Sequence, residues 1–292
     1  MSSPSAASEM SVSLGEGSTP LLAVPRLSER LGVELWVKWE GSNPTGSFKD
    51  RGMAVAVSRA LERGALGVVC ASTGNTAASA AAYAARAGLR VVVVTVHGSV
   101  ARGKVMQARA VGVELREIDG TFNDAHLEAR RLAETEGLVN VNSINPDRIE
   151  GQSSAAREVV EQLGGLPDVL ALPYGGGGNT VSYAKGFGET LPRFILGEAA
   201  QRRETFATAI RIAEPVHQTE VDDVLERSGG QIVALSEQQL EGAWRSLARE
   251  EGIFCEPASA AGIAAVEAVG LRDVRVVCVV TGHGLKDPDA VG

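Results

Sequence analysis

Short apolar runs alternate with helical patterns through the middle of the chain. Gly67–Ala71, Arg90–Val96, Val113–Ile118 and Leu138–Val141 read as strands, and the segments after Asn75, Arg102 and Phe122 read as helices. A second set follows. It comprises a helix near Glu150–Leu163, a strand at Val169–Leu172, a helix from Thr180, a strand at Arg193–Leu196, helices over Ser236–Glu251 and Pro257–Ala268, and a strand at Arg275–Val280. Strands joined by helices predict parallel pairing with right-handed crossovers, hence an α/β fold of largely parallel sheets flanked by helices. The alanine-rich stretch Ala77–Ala87 suits a helix packed tightly on a sheet. No internal repeat and no low-complexity linker interrupts the pattern.

The chemistry concentrates at the punctuation between these elements. Ser42-Asn43-Pro44-Thr45-Gly46-Ser47-Phe48 is a turn that delivers Lys49 to the start of a helical pattern. An ammonium at a helix N-terminus is disfavoured by the helix dipole, so its pKa falls and it becomes available for Schiff-base chemistry. A lone lysine after a loop is also consistent with an ordinary surface residue. After the strand at Val169–Leu172, the run Gly175-Gly176-Gly177-Gly178-Asn179 turns several N–H groups inward at a helix start, which suits a phosphate. It is neither a Walker loop nor the spaced dinucleotide fingerprint. Ser72-Thr73-Gly74-Asn75-Thr76 joins another strand to a helix and suits a carboxylate, or is simply an N-cap. Finally, the strand at Val276–Val280 ends in Thr281-Gly282-His283-Gly284, a hydroxyl beside a glycine turn.

The 292 residues support one large or two modest domains, and 44% hydrophobic content suffices for a core. A net charge of −8 with scattered basic residues argues against a nucleic-acid surface. No apolar run approaches the roughly 20 residues of a membrane-spanning helix. Cys70, Cys255 and Cys278 lie in or beside apolar runs, which predicts buried reduced thiols and a cytoplasmic setting. Neither the cysteines nor the four histidines show metal-ligand spacing, so no metal is expected. Met1–Ser13 lacks the basic and apolar regions of a signal peptide and reads as a mobile tail.

These four punctuation segments, in this order, resemble the threonine synthase family of pyridoxal-5′-phosphate (PLP) enzymes, fold type II. The resemblance runs from Glu16-Gly17-Ser18-Thr19-Pro20-Leu21 almost to the C-terminus. It includes Lys38-Trp39-Glu40-Gly41, Asn142–Gln152 and Arg249–Ala260. It implies a large PLP-binding domain from residues 1–52 and 142–292, a small domain from 53–141, and a homodimer. It implies that Lys49 bonds covalently to the cofactor and later shuttles protons. Asn75 would meet the cofactor's phenolic oxygen, Gly175, Gly176, Gly177, Gly178 and Asn179 its phosphate, and Thr281 its ring nitrogen. Ser72, Thr73, Thr76, Asn142, Ser143 and Arg148 would hold the substrate, an amino-acid phosphate ester. The implied reaction is conversion of O-phospho-L-homoserine and water to L-threonine and phosphate. The alternative is β-elimination or β-replacement on another amino acid.

Three features depart from the family pattern. The phosphate loop has Gly176 where an asparagine is usual. The region around Gly197–Thr205 is compressed. Ile212-Ala213-Glu214-Pro215 replaces Ile-Gly-Asn-Pro. Glu198 and Glu214 therefore bring acidic groups to positions where the family tends to be neutral, and the three departures are compatible with a changed substrate, a weaker enzyme, or merely a trimmed exterior with both acids facing solvent.

Overall fold

The computed structural model describes residues 12–72, 74–97 and 102–291, with only the backbone described for 102–105. Of the expected tail, residues 1–11 lie outside the described residues. Val12 is buried and donates its backbone N–H to Ser58 Oγ (3.1 Å), so the packed chain is already under way at residue 12 rather than beginning after Ser13.

In chain order the elements are β1 (Leu21–Ala23), α1 (Pro25–Leu31), β2 (Glu34–Trp39), α2 (Lys49–Glu62), β3 (Gly67–Ala71), α3 (Asn75–Ala87), β4 (Arg90–Val96) and α4 (Arg102–Ala110). Next come β5 (Glu114–Ile118), α5 (Phe122–Glu136), β6 (Leu138–Asn140), α6 (Pro146–Gln152), α7 (Ser154–Leu163), β7 (Val169–Pro173) and α8 (Gly178–Phe187). The chain ends with β8 (Arg193–Ala199), α9 (Gln218–Ser228), β9 (Gln231–Leu235), α10 (Glu237–Glu251), α11 (Ala261–Val269) and β10 (Arg275–Val280).

Two sheets result. One has the order β1-β2-β10-β7-β8-β9 and the other β5-β4-β3-β6. Every pairing is parallel except β1 with β2. The central strands are buried along their whole length: β3 and β7 have no intermediate position, as expected for parallel strands covered on both faces. The fold is therefore the expected α/β architecture.

Differences from the sequence expectation have local causes. The single helix read over Glu150–Leu163 is two: α6 starts at Pro146 behind an Asn145 cap (Asp147 N–H to Oδ1, 2.9 Å), and Ser153 divides it from α7. The first turn read as part of the helix Pro257–Ala268 is a 3₁₀ turn, Pro257–Ala260. Strand β8 runs three residues beyond Leu196, where it pairs with β9.

One contact brings the two halves of the site together. Helices α2 and α6 cross with glycines face to face: a Cβ at Gly52 would lie 2.5 Å from Arg148 O, and one at Gly151 would lie 2.2 Å from Arg51 O. Only this close approach sets the base of α2 against Arg148. We expect Gly151→Ala to destabilise the fold by about 1–3 kcal/mol by overpacking, despite alanine's better helix propensity, read as a lowered denaturation midpoint. An unchanged midpoint would mean that the helices part at no cost.

Candidate active site

The sequence Lys49-Asp50-Arg51 places three ionisable groups on consecutive positions at the start of α2, and each is directed differently. Asp50 is buried and turns back into the preceding loop. Its carboxylate accepts the backbone N–H and hydroxyl of Thr45 (both 2.6 Å) and the hydroxyl of Ser79 from α3 (2.6 Å). Burial raises the Asp50 pKa, against those three bonds. Arg51 points the other way, forking onto Glu40 through Nε (2.7 Å) and Nη2 (2.9 Å) and onto Glu158 through Nη1 (2.6 Å) and Nη2 (2.7 Å). Lys38 completes the cluster: its three N–H groups meet Thr19 O (2.7 Å), Glu158 Oε2 (2.7 Å) and Gln162 Oε1 (2.9 Å).

Between these two anchors Lys49 is left without a carboxylate bond. Its Nζ lies 4.4 Å from the centre of the Phe48 ring. Its pKa falls to about 7, first because burial disfavours the ammonium and then because the Arg148 guanidinium repels it; Glu256 pulls in the other direction. The depression expected from the helix start is present, and its main source is burial. An amine that is substantially neutral near pH 7 is a competent nucleophile towards an aldehyde.

Arg148 is 1% exposed. One nitrogen, Nη1, donates to Val141 O (2.8 Å), while Nε and Nη2 are buried with no partner. Burial pulls its pKa down to about 10, which leaves it charged at neutral pH. A charged fork with two buried, unmatched donors fits an anion.

The glycine loop leads from β7 into α8. Gly177 has φ +87°, and a Cβ there would lie 2.9 Å from Val221 Cγ2; one at Gly175 would lie 3.2 Å from Ile210 Cα. In the first turn of α8, Asn179 Nδ2 and Thr180 Oγ1 are buried without partners. Backbone free of Cβ atoms, orphaned donors and a helix N-terminus together fit a phosphate. Gly176 faces Ile212, where a Cβ would stand 3.6 Å from Cδ1.

On the opposite side, Asn75 at the start of α3 donates Nδ2 to Glu256 Oε1 (2.7 Å). Glu256 is 3% exposed, and its Oε1 would be 2.0 Å from a Cβ on Gly282, so only glycine follows Thr281 there. Thr281 is buried, with its hydroxyl 3.0 Å from Ser259 Oγ, and Ser259 Oγ also accepts from Gly282 N (2.9 Å). Thr281 O accepts from Phe48 N (3.0 Å), which ties the end of β10 to the residue before Lys49. Glu256 and Ser259 carried no individual signal in the sequence, because their partners are far away along the chain.

The substrate-side candidates divide. Ser72 Oγ accepts from Gly74 N (3.1 Å), and Thr76 is half-buried in the first turn of α3. Thr73 lies outside the described residues. Asn142 uses its side chain on Ala71, accepting its N–H and donating to its carbonyl (both 3.0 Å), so it holds the end of β3 in place. Ser143 is half-buried, and its carbonyl meets His217 Nε2 (3.1 Å). Of the departing acids, Glu198 is ion-paired with Arg202, whose guanidinium stacks 4.8 Å from the Tyr174 ring, and Glu214 is exposed. All three cysteines are buried and free, and among the described residues no His/Cys/Asp/Glu group of metal-binding composition occurs. No described helix is long and apolar enough to cross a membrane.

Two outcomes follow. The Glu158 carboxyl is held at about 2: burial alone would raise it, but the Arg51 bonds and charge, then Lys38, outweigh that. Its folded pKa is depressed, so its contribution is complete above about 4.5 and is lost as pH falls from there towards 2. Acid unfolding over that window should flatten in Glu158→Gln, and an unchanged acid limb would remove Glu158 from the balance. Lys49 should react with acetic anhydride in the cofactor-free protein with a midpoint near pH 7. Because Arg148 lowers the Lys49 pKa, Arg148→Gln should move that midpoint upward; a downward or absent shift would contradict the coupling.

A family model described as pyridoxal-phosphate dependent enzyme matches residues 12–282. A threonine synthase from a Bacillus species (strain ULM1) is 46% identical over 301 residues, covering 95% of this chain and 86% of the relative. One from Mycobacterium leprae is 47% identical, covering 95% and 84%, and one from Methanocaldococcus jannaschii is 44% identical, covering 96% and 77%. Among solved structures, maize serine racemase superposes with a TM-score of 0.81 at 21% identity, covering 91% of this chain and 88% of that one. A threonine deaminase isoform from Solanum lycopersicum superposes with a TM-score of 0.78 at 26% identity, covering 91% and 79%.

Proposed function

This chain belongs to the threonine synthase family of pyridoxal-phosphate dependent enzymes, and we propose that it converts O-phospho-L-homoserine and water to L-threonine and phosphate. The observation that carries this reading is the pairing of Lys49, with its lowered pKa, with a buried Arg148 whose Nε and Nη2 lack partners. A nucleophilic amine beside a guanidinium with two unmatched donors suits an amino-acid phosphate ester.

When bound, pyridoxal phosphate supplies an electron sink for a carbanion next to the substrate amine. The chain's own residues do the rest. Lys49 would hold the cofactor and, when free, would move protons at the substrate's Cα and Cβ. Gly175–Asn179 would hold the cofactor phosphate through backbone N–H groups and the orphaned donors of α8. Asn75, steadied by Glu256, would serve the phenolic oxygen, and Thr281, steadied by Ser259, the ring nitrogen. A neutral hydroxyl holds that nitrogen less tightly than a carboxylate would. This weakens the sink and favours elimination and replacement over transamination. Arg148 binds the substrate phosphate and lets it leave as an anion. Ser72, Thr73, Thr76 and Ser143 complete the substrate side, and Asn142 positions the Ser72 loop through Ala71.

We also place the division between domains at the two sheets, with residues 53–141 forming the small domain and 1–52 with 142–292 the large one. The three buried free thiols support a cytoplasmic setting, and the relatives' family supports a homodimer.

Inorganic phosphate release from O-phosphohomoserine tests the reaction. Lys49→Ala should abolish it, and Arg148→Ala should weaken substrate use by about 1.5–3 kcal/mol, roughly 10- to 150-fold in kcat/KM. No phosphate release, with turnover of serine, threonine or O-phosphoserine instead, would replace this reading with β-elimination or β-replacement, the direction in which the missing side chain at Gly176 points.

A further inference from the structure

Lys286, in the 3₁₀ turn Gly284–Lys286 after β10, lies against the turn that carries Lys49 and has no part in the reading above. It is 9% exposed. Its stem runs along Gly46: a Cβ there would lie 3.2 Å from Lys286 Cδ and 3.6 Å from Cγ, and Gly46 has φ +86°. Backbone bonds fasten the two turns together, from Phe48 N to Thr281 O (3.0 Å) and from His283 N to Gly46 O (2.9 Å). The C-terminal turn and the Lys49 turn therefore form one unit, and Lys286 is the long side chain that leaves it.

The far end of that side chain reaches another layer. Lys286 Nζ donates to Gln107 Oε1 of α4. Burial lowers the Lys286 pKa, against the pull of Glu256 and then Asp50, but the bond needs no particular charge: a lysine nitrogen has N–H groups to give in either form. Gln107 is exposed, and the next residue, Ala108, is buried with Ala81 of α3. Helix α3 begins at Asn75 and follows the Ser72 turn. One side chain thus joins the Lys49 turn to the helix pair that carries Asn75. The neighbouring Asp287 ties the same turn to a third part. It accepts from Thr208 Oγ1 (2.7 Å), two residues before Ile210, whose Cα would stand 3.2 Å from a Cβ on Gly175.

We propose that Lys286 is a positioning residue: its bond to Gln107 latches α4, and with it the start of α3, against the Lys49 turn. The latch keeps Asn75 and the Ser72–Thr76 segment in register with Lys49. The inference rests on the assignment of those residues to cofactor and substrate. A single hydrogen bond to an exposed partner shifts an equilibrium by about tenfold, so the latch sets a population of the closed arrangement rather than a rigid joint.

The test uses the protein loaded with pyridoxal phosphate. Lys286→Met keeps the stem on Gly46 and removes the donor, Gln107→Leu removes the acceptor, the double variant removes both, and Gln107→Glu keeps an acceptor. Two quantities are read: amide hydrogen exchange over residues 106–110 and the first two turns of α3, and KM and kcat for phosphate release from O-phosphohomoserine. Each of the two bond-breaking single variants should speed exchange there about tenfold, leave α10 unchanged, and raise KM about tenfold with kcat level. The double variant should be no worse than either single, because both remove the same bond, and Gln107→Glu should match wild type. Unchanged exchange in either single variant overturns the inference. So do additive losses in the double variant, and so does a loss in Lys286→Met that Gln107→Leu does not share, since that leaves only the stem's packing on Gly46. Faster exchange with KM unchanged marks a contact without a positioning role and overturns it as well. If wild type releases no phosphate, the proposed function fails, and the exchange pattern alone then decides the latch.

Discussion

The active lysine depends on the fate of its two neighbours. Asp50 and Arg51 are buried and fully bonded in opposite directions, one to the turn before α2 and to α3, the other to the segment before β1, the 3₁₀ turn after β2, and α7. Buried ion pairs are poor sources of net stability, because desolvation offsets most of the attraction, but breaking one leaves an uncompensated charge. Their effect here is geometric. Any rotation of the first turn of α2 would strand Asp50 or Arg51 from several partners at once, so Lys49 between them is held in one direction. Lys38, with each of its three donors matched, and Gln162, which also donates to Thr19 O (3.0 Å), extend the same rigidity to β2 and α7.

Around that fixed lysine the field is positive. Burial lowers the pKa of both Lys49 and Arg148, the Arg148 charge lowers that of Lys49 further, and the nearby acids are engaged, Asp50 by Thr45 and Ser79 and Glu256 by Asn75. A buried guanidinium with two unmatched donors, beside an amine that is largely neutral near pH 7, favours an anionic ligand. The site thus selects for an anion before any particular contact is considered. Lys49 is kept largely neutral first by burial and then by the Arg148 charge.

What was legible in the sequence and what was not follows from range. The glycine loop, the turn before Lys49 and the alanine-rich α3 were legible because glycine, proline and periodicity act locally. Strands β1, β2 and β9 and helices α1 and α9 left no comparable signal. β1 has three residues, β2 alternates with polar positions at Glu34 and Lys38, and β9 begins Gln231 and is mostly half-buried at the sheet edge. Lys38 shows the limit plainly: a charged residue in a strand is fully buried only because Glu158, Gln162 and Thr19 arrive from distant segments. The resemblance singled out Asn142 for the substrate side, and nothing local revealed that both ends of its amide are taken by Ala71.

The acidic departures look different once their neighbours are in place. Glu198 ends the part of β8 that leads past the glycine loop, and the short connection after β8 brings Arg202 back onto it one helical turn later. Arg202 also donates to Ile212 O (3.2 Å) and lies over Tyr174, the residue that enters the loop. The charge that Glu198 introduces is therefore neutralised within the same segment that is shortened, and the pair braces the loop's entrance. Glu214 is exposed, where a carboxylate is solvated at little cost. What remains is Gly176, set against the apolar Ile212 side chain rather than against either acid. With no side-chain donor at that position, the loop's polar groups are its backbone N–H groups, the helix end, and the buried Asn179 Nδ2 and Thr180 Oγ1 in the first turn of α8. The directed donors of a guanidinium lie elsewhere, on Arg148 beside the segment after β6.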